Sequence, residues 1–204
     1  MNVRTFAIAA AFVVGTATAS VAMGDEAPDA LVRRVSSDVL ATIKADPSIQ
    51  AGDVGRVVTL VNEKILPFFD FERMTASAIG PRWKDATPVQ KQRLQEEFKT
   101  LLVRVYSGAL TQARDRTIEL KPMRDAVTDP QVVVRAEVRG KGDPVELDFR
   151  LAQADASWRI YDMNVGGVWL VDNYRSSFAQ EIGSVGIDGL IARLGEKNKA
   201  VGRN

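Results

Sequence analysis

The 204-residue sequence contains no cysteine and no histidine. Their absence excludes disulfide scaffolds, zinc fingers, cysteine nucleophiles and histidine-based catalytic triads. Neither sign of charge is in excess, because the sequence contains 27 basic and 26 acidic side chains. The chain as a whole therefore has little electrostatic attraction for nucleic acid. Glycine-rich nucleotide-binding motifs and the nucleophile-elbow motif are absent from the sequence as well. We therefore expect no metal site, no cofactor and no nucleic-acid partner.

The first residues have the pattern of a secretory signal peptide. Arg4 is followed by an apolar stretch from Phe6 to Val14 and then by small residues. We predict a signal peptide over residues 1–22, with cleavage after Ala19 or Gly24 as alternatives to this boundary. An uncleaved membrane anchor is the competing interpretation, but it would need about 20 apolar residues to span a bilayer, and the stretch here is shorter.

The first half of the remaining chain has helical periodicity. Apolar residues recur at spacings of three and four, which predicts helices over 29–44 and 53–66 and a short helix that ends near residue 79. Thr87-Pro88-Val89-Gln90 has the pattern of a capping box with proline in the first turn. It predicts the start of a long amphipathic helix.

The second half of the chain changes to a two-residue alternation of apolar and polar residues, typical of strands. We predict strands over 117–121, 132–139, 145–151 and 158–165. Gly166-Gly167 ends the last strand, and further helices follow, of which Asp188 caps the final one. The sequence thus predicts a single α+β domain over residues 23–195, with an antiparallel meander covered by helices, and a polar, frayed tail over 196–204.

Two features of the interior leave alternatives open. The apolar residues are numerous enough either to fill a solid core or to line a cavity for a ligand, and periodicity does not separate these interpretations. Asp162 lies in the last predicted strand beside Tyr161. It is either a general base with a raised pKa, assisted by Tyr161 or Tyr106, or a carboxylate that pairs with an arginine.

Short motifs spread over nearly the whole chain after residue 22 resemble those of the MlaC family, also called the toluene-tolerance family. Their order and spacing carry the resemblance, since each motif alone is weak. The motifs are Leu66-Pro67-Phe68, Ala86-Thr87-Pro88, Leu147-Asp148-Phe149, Tyr161-Asp162-Met163, Gly167-Val168, Asn173-Tyr174-Arg175 and Gly186-Ile187-Asp188-Gly189-Leu190. Trp169 departs from the pattern, where a small polar residue is expected, and we expect it to narrow or shift the mouth of a cavity.

The resemblance implies a curved antiparallel sheet wrapped by helices, like the cone of the nuclear-transport-factor superfamily, around an apolar cavity. It also implies a monomeric, non-enzymatic periplasmic carrier of phospholipid between an outer-membrane lipoprotein complex and an inner-membrane ABC transporter with an MCE-domain protein. A hopanoid or another lipid is the alternative cargo. The expected lining residues are Leu66, Phe69, Met74, Ile79, Trp83, Leu102, Tyr106, Val134, Leu147, Phe149, Tyr161, Met163 and Val168. The expected headgroup contacts are Arg82, Lys84 and Arg175.

Overall fold

The computed structural model describes residues 26–124, 129–155 and 157–201. The predicted signal peptide lies outside the described residues. The helices are α1 (Pro28–Ala45), α2 (Pro47–Gln50), α3 (Val54–Lys64), α4 (Phe71–Ile79), α5 (Pro88–Thr111) and α6 (Leu170–Val201). The strands are β1 (Thr117–Leu120), β2 (Gln131–Val134), β3 (Ala136–Arg139), β4 (Val145–Ala154), β5 (Ser157–Val165) and β6 (Val168–Trp169). Within these described ranges, the helices are too short or too polar to cross a membrane.

Side-chain caps fix where several of the helices begin. The carboxylates of Asp46, Asp53 and Asp70 accept hydrogen bonds from the first-turn amides of α2, α3 and α4. Such caps satisfy backbone donors that have no partner inside the helix. At α5, the Thr87 hydroxyl and the Gln90 side chain form both halves of the capping box, so the start of this helix predicted from the sequence is confirmed.

The strands form one antiparallel sheet in the order β1-β3-β4-β5-β6, and β2 also pairs with β4. The strand predicted over 132–139 is interrupted at Arg135, so that β2 and β3 pair with successive parts of β4. A register shift also interrupts the β4–β5 pairing between Arg150 and Leu151. Interruptions of this kind bend a sheet. Together with the helices, the antiparallel sheet confirms the predicted α+β class.

The C-terminal helix corrects two predictions. Gly186 has φ 73° and separates two helical segments within α6, so Asp188 lies inside the second segment and not at its cap. The Asp188 carboxylate instead accepts a hydrogen bond from the Gln90 side chain at 3.0 Å, which ties α6 to the start of α5. The tail does not fray at residue 196, because α6 continues to Val201. Asn198 in this stretch is buried and donates to the carbonyl and the carboxylate of Glu97.

Two groups of buried apolar side chains hold the elements together. The sheet cluster joins α1, α2 and α3 to the sheet and consists of Leu31, Val32, Val35, Val39, Ile43, Ile49, Val57, Leu60, Val61, Val132, Val134, Ala136, Phe149, Leu151, Trp158 and Ile160. The helix cluster joins α4, α5 and α6 and consists of Met74, Ala78, Ile79, Leu94, Phe98, Leu101, Leu102, Leu170, Val171, Phe178, Ile182, Leu190, Ile191 and Leu194.

Candidate functional site

A cavity of about 390 Å³ lies between the sheet and the helices that cover it. Its walls are almost entirely aliphatic or aromatic, and its size falls within the range of pockets that bind small organic ligands. The helical residues of the lining are Val32, Val35, Ser36, Val39, Leu40, Ile43, Val61, Phe71, Met74, Lys99, Leu102, Val103, Tyr106, Ala109, Leu110 and Leu170. The lining residues outside the α-helices are Ile65, Leu66, Phe69, Gln112, Ala113, Arg116, Ile118, Val138, Val145, Leu147, Phe149, Ile160, Met163 and Val165.

The sheet supplies one wall because alternate side chains of a strand share a face. Leu147 pairs with Val165 and Phe149 pairs with Met163, and all of these side chains line the cavity. The register shift in β4–β5 places Ile160 opposite Leu151. Ile160 therefore stays on the cavity face even though it is three residues, an odd number, before Met163.

Exposure changes systematically along the lining. Ile43, Val61, Met74 and Ile160 are buried, whereas the exposed residues of the lining are Ala109, Gln112 and Val145. Ala109 and Gln112 lie at the C-terminal end of α5. Val145 starts β4, directly after the turn that follows β3. The cavity is therefore closed at its inner end and opens between the end of α5 and the β3–β4 turn.

Few polar side chains among the described residues reach the cavity. They are Ser36, Lys99, Gln112 and Arg116, together with Tyr106. Burial raises the pKa of the Tyr106 phenol, which keeps it neutral and suited to an apolar wall. The α-helix rise places Lys99 about 20 Å from Gln112 along α5, so these two polar side chains lie far apart. Gln112 and Arg116 lie near the exposed end of the lining, where the polar end of an apolar ligand would find partners.

Many of the predicted lining residues face the cavity. These residues are Leu66, Phe69, Met74, Leu102, Tyr106, Leu147, Phe149 and Met163. They come from α4, α5, both long strands and the segment before α4, which the sequence alone did not bring together. Their contact with a lipid remains a prediction.

The structure places the other predicted lining residues elsewhere. Ile79 is buried in the helix cluster and Val134 in the sheet cluster, so both fill solid core. Trp83 packs at the edge of the helix cluster with Lys91 over its ring. Tyr161 lies in the register shift of β5 and contacts Arg73. Val168 in β6 is half exposed.

The predicted headgroup residues also lie away from the cavity. Arg82 pairs with Asp85 at 3.3 Å, and Lys84 is exposed in the same turn. Arg175 donates to the Ser77 carbonyl and pairs with Asp172. Position near a turn was the sole basis for these predictions, and it does not specify which turn borders the cavity.

Asp162 is buried on the sheet face opposite the cavity. One carboxylate oxygen accepts from the amides of Val171 and Met163, and the other accepts from Arg150 at 2.8 Å. Burial raises the pKa of this carboxyl, while these hydrogen bonds and the Arg150 charge act in the opposite direction. The group connects β4, β5 and the start of α6, and the prediction that it pairs with an arginine is confirmed. The geometry does not support its alternative role as a base in the cavity.

Trp169 belongs to the same side of the sheet as Asp162. It pairs with Asn164 in the ladder, and the Arg150 guanidinium stacks 3.8 Å from its ring centre. Trp169 is not part of the cavity wall, so our expectation that it narrows the mouth is wrong. Its indole instead covers the Arg150–Asp162 ion pair.

Sequence reasoning missed one complete wall. The apolar face of α1 contributes Val32, Val35, Val39 and Ile43, and the regular spacing that predicted this helix already identified that face. The missed polar residues, above all Gln112 and Arg116, carried no comparable signal, because their place depends on how α5 ends beside the sheet.

Comparison with known proteins identifies the family. The model of the MlaC protein family matches residues 33–196. The chain belongs to the MlaC family. Among its relatives are the intermembrane phospholipid transport system binding protein MlaC of Haemophilus influenzae, 23% identical over 95% of this chain and 90% of that protein, and the toluene tolerance protein ttg2D of Pseudomonas putida, 24% identical over 80% and 76%.

A solved structure extends this relationship to the fold. The phospholipid-binding protein of Ralstonia solanacearum, solved in complex with a phospholipid, is 43% identical to this chain. The similarity covers 85% of this chain and 98% of the other, with a TM-score of 0.83. The fold of this MlaC family member is therefore that of a protein known to hold a phospholipid.

Proposed function

We propose that this protein is a periplasmic phospholipid carrier that buries acyl chains in the cavity between α1, α5 and the sheet. The apolar lining, closed at its inner end and open at the other, is the observation that carries the proposal. The phospholipid held by the Ralstonia solanacearum relative supports the same class of ligand. The arrangement favours carriage over catalysis, since the buried carboxyl of Asp162 faces away from the cavity.

The energy of lipid transfer explains why such a cavity is needed. Each methylene removed from water is worth about 0.8 kcal/mol, so two chains of roughly 16 carbons represent about 25 kcal/mol. A lipid therefore does not cross an aqueous compartment unassisted. A carrier shields the chains and leaves the polar headgroup at the mouth, in contact with water.

The same energy makes spontaneous release slow, so cargo has to be handed over on a partner surface that displaces or opens the cavity walls. We propose an outer-membrane lipoprotein complex and an inner-membrane ABC transporter with an MCE-domain protein as these partners. The family relationship supports this assignment, with the carrier acting as a monomer between them.

Native mass spectrometry of protein purified from its own cells tests the proposal. We expect a bound species with the mass of a phospholipid. Ala113→Trp should exclude this species because Ala113 lines the cavity and a large indole fills it. Ala192→Trp places the same indole on the exposed side of α6 and should leave the bound mass unchanged. Protein without bound lipid under gentle conditions would contradict the proposal, and a fused-ring lipid mass would replace phospholipid with a hopanoid.

A further inference from the structure

Arg116 stands at the mouth of the cavity. It follows the end of α5, where its amide donates to the Ala113 carbonyl at 3.1 Å, and it directly precedes β1. Its side chain belongs to the lining at the end where Ala109, Gln112 and Val145 are exposed. A headgroup whose acyl chains fill the inner cavity would lie at this end.

Among the described residues, the guanidinium of Arg116 has no protein partner that would account for its position. Its Nη1 atom is buried without a hydrogen-bond acceptor, and within the described ranges no ion pair includes this residue. Arg139, close by at the end of β3, pairs with both Glu119 and Glu137. The Nη1 atom of Arg135 is also buried without a hydrogen-bond partner among the described residues, but Arg135 does not belong to the cavity wall. A buried guanidinium nitrogen without an acceptor is costly, so an anionic acceptor at the mouth would stabilise it.

Gly140 lies against the Arg116 side chain and leaves room for it. A Cβ atom at this glycine would lie 2.5 Å from Cδ of Arg116 and 3.2 Å from Nη1. The backbone of Gly140 does not have the positive φ that favours glycine. Space for the Arg116 side chain is therefore the structural reason for a glycine here, and the first residue of the β3–β4 turn forms a slot for the arginine.

We propose that Arg116 binds the phosphate of the lipid headgroup and so orients the phospholipid with its chains inward. This assignment rests on the proposed carrier function and adds a specific residue for headgroup selection. The planar guanidinium matches two phosphate oxygens and forms charge-assisted hydrogen bonds. A diacylglycerol with the same chains offers no such anion, and an oleate offers a carboxylate in its place.

Competition between lipids tests the proposal. Purified protein is incubated with vesicles of dioleoylphosphatidylglycerol, dioleoylglycerol and oleate in equal parts, and the bound lipids are quantified by mass spectrometry. Arg116→Gln should lower the bound ratio of phosphatidylglycerol to diacylglycerol about tenfold, the loss expected for one charge-assisted contact. Arg116→Lys should lower it less. Gly140→Ala keeps every charge but displaces the Arg116 side chain, so it should also lower the ratio, and it carries the test if Arg116→Gln fails to fold.

The matched control is Arg114→Gln, which removes the same charge from an exposed arginine outside the cavity lining and should leave the ratio unchanged. An unchanged ratio in Arg116→Gln, or an equal fall in Arg114→Gln, overturns the proposal. A fall confined to oleate overturns the assignment to phosphate. Failure of the carrier function itself gives a different result, since the unaltered protein would then take up none of the three lipids.

Discussion

The helix cluster and the sheet cluster contain similar apolar residues but pack them differently. In the helix cluster, Phe98 is fully buried and meets Tyr174 and Phe178 edge to face, with ring centres 5.1 and 5.2 Å apart. The sheet cluster is mainly aliphatic and lies beside the cavity. Met74, Leu102 and Leu170 belong to the helix cluster and also form cavity wall. The close-packed half of the interior therefore supports the wall of the open half.

Replacement of Phe98 should have the largest effect on stability. We expect Phe98→Ala to lower the free energy of unfolding by about 3–5 kcal/mol, because the rings around it leave a void that the packed helices do not close. Urea denaturation of lipid-free protein measures this change. A loss below about 1 kcal/mol would show that the helix cluster is not close-packed.

The matched change in the sheet cluster is Phe149→Ala. Phe149 is also buried, but it already borders the cavity, so its removal enlarges an existing space and breaks contacts on one side of the ring. We expect a loss of about 1–3 kcal/mol in the same experiment, together with weaker lipid retention. Equal losses for Phe98→Ala and Phe149→Ala would contradict the difference between the two clusters.

The Asp162 group joins the sheet to α6, and thus links the two clusters. Asp162→Asn removes the carboxylate charge that pairs with Arg150 and replaces one of the two acceptor oxygens with an amide donor, and it should cost about 1–2 kcal/mol at neutral pH. Asp172→Asn is the control, since that carboxylate is exposed and lies 3.5 Å from Arg150. It should change stability by less than about 0.5 kcal/mol. A larger effect for the control would place the stabilising contact on the surface.

The contribution of Asp162 to stability should also depend on pH, in a direction set by its raised pKa. Because burial raises the pKa of Asp162 above 3.8, the folded state binds this proton more tightly than the unfolded state does. Its contribution to stability therefore falls as pH rises from about 4 through the raised pKa. We expect the stability difference between unaltered protein and Asp162→Asn to shrink across this range in urea titrations at each pH. A difference that grows with pH would mean that the pKa is lowered.

The smallest effect is expected at Thr87, which caps α5, one of the helices of the helix cluster. Thr87→Ala removes the oxygen that accepts from the Gln90 amide at 3.2 Å and should cost about 1 kcal/mol. Gln92→Ala, on an exposed part of the same helix, is the control. A loss no greater than that of the control would show that the cap does not contribute to stability.

The features that depend on local sequence were predictable. The spacing of apolar residues in α1, the capping box of α5 and the alternation in β4 and β5 specify these elements, because helices and strands place side chains at fixed periods. The break at Arg135 and the register shift after Arg150 were missed. Both depend on pairing with a neighbouring strand, which no local pattern encodes.

The cavity was less accessible to sequence reasoning. Leu147 and Phe149 were expected in the lining from the resemblance to the MlaC family, and both face the cavity on the apolar side of the alternation in β4. Val134 has the same pattern but fills solid core, because spacing identifies the buried face and not the empty space beside it. Arg116 was missed because its place in the lining depends on how α5 ends and on the space left by Gly140, a residue of a different turn.

The most direct test of the open interior is a crystal structure of protein purified from its own cells without added lipid. We expect continuous density for acyl chains between α1 and the sheet, with the headgroup next to Arg116. An interior filled by the protein's own side chains, with no space for hydrocarbon beside Phe149, would contradict the account.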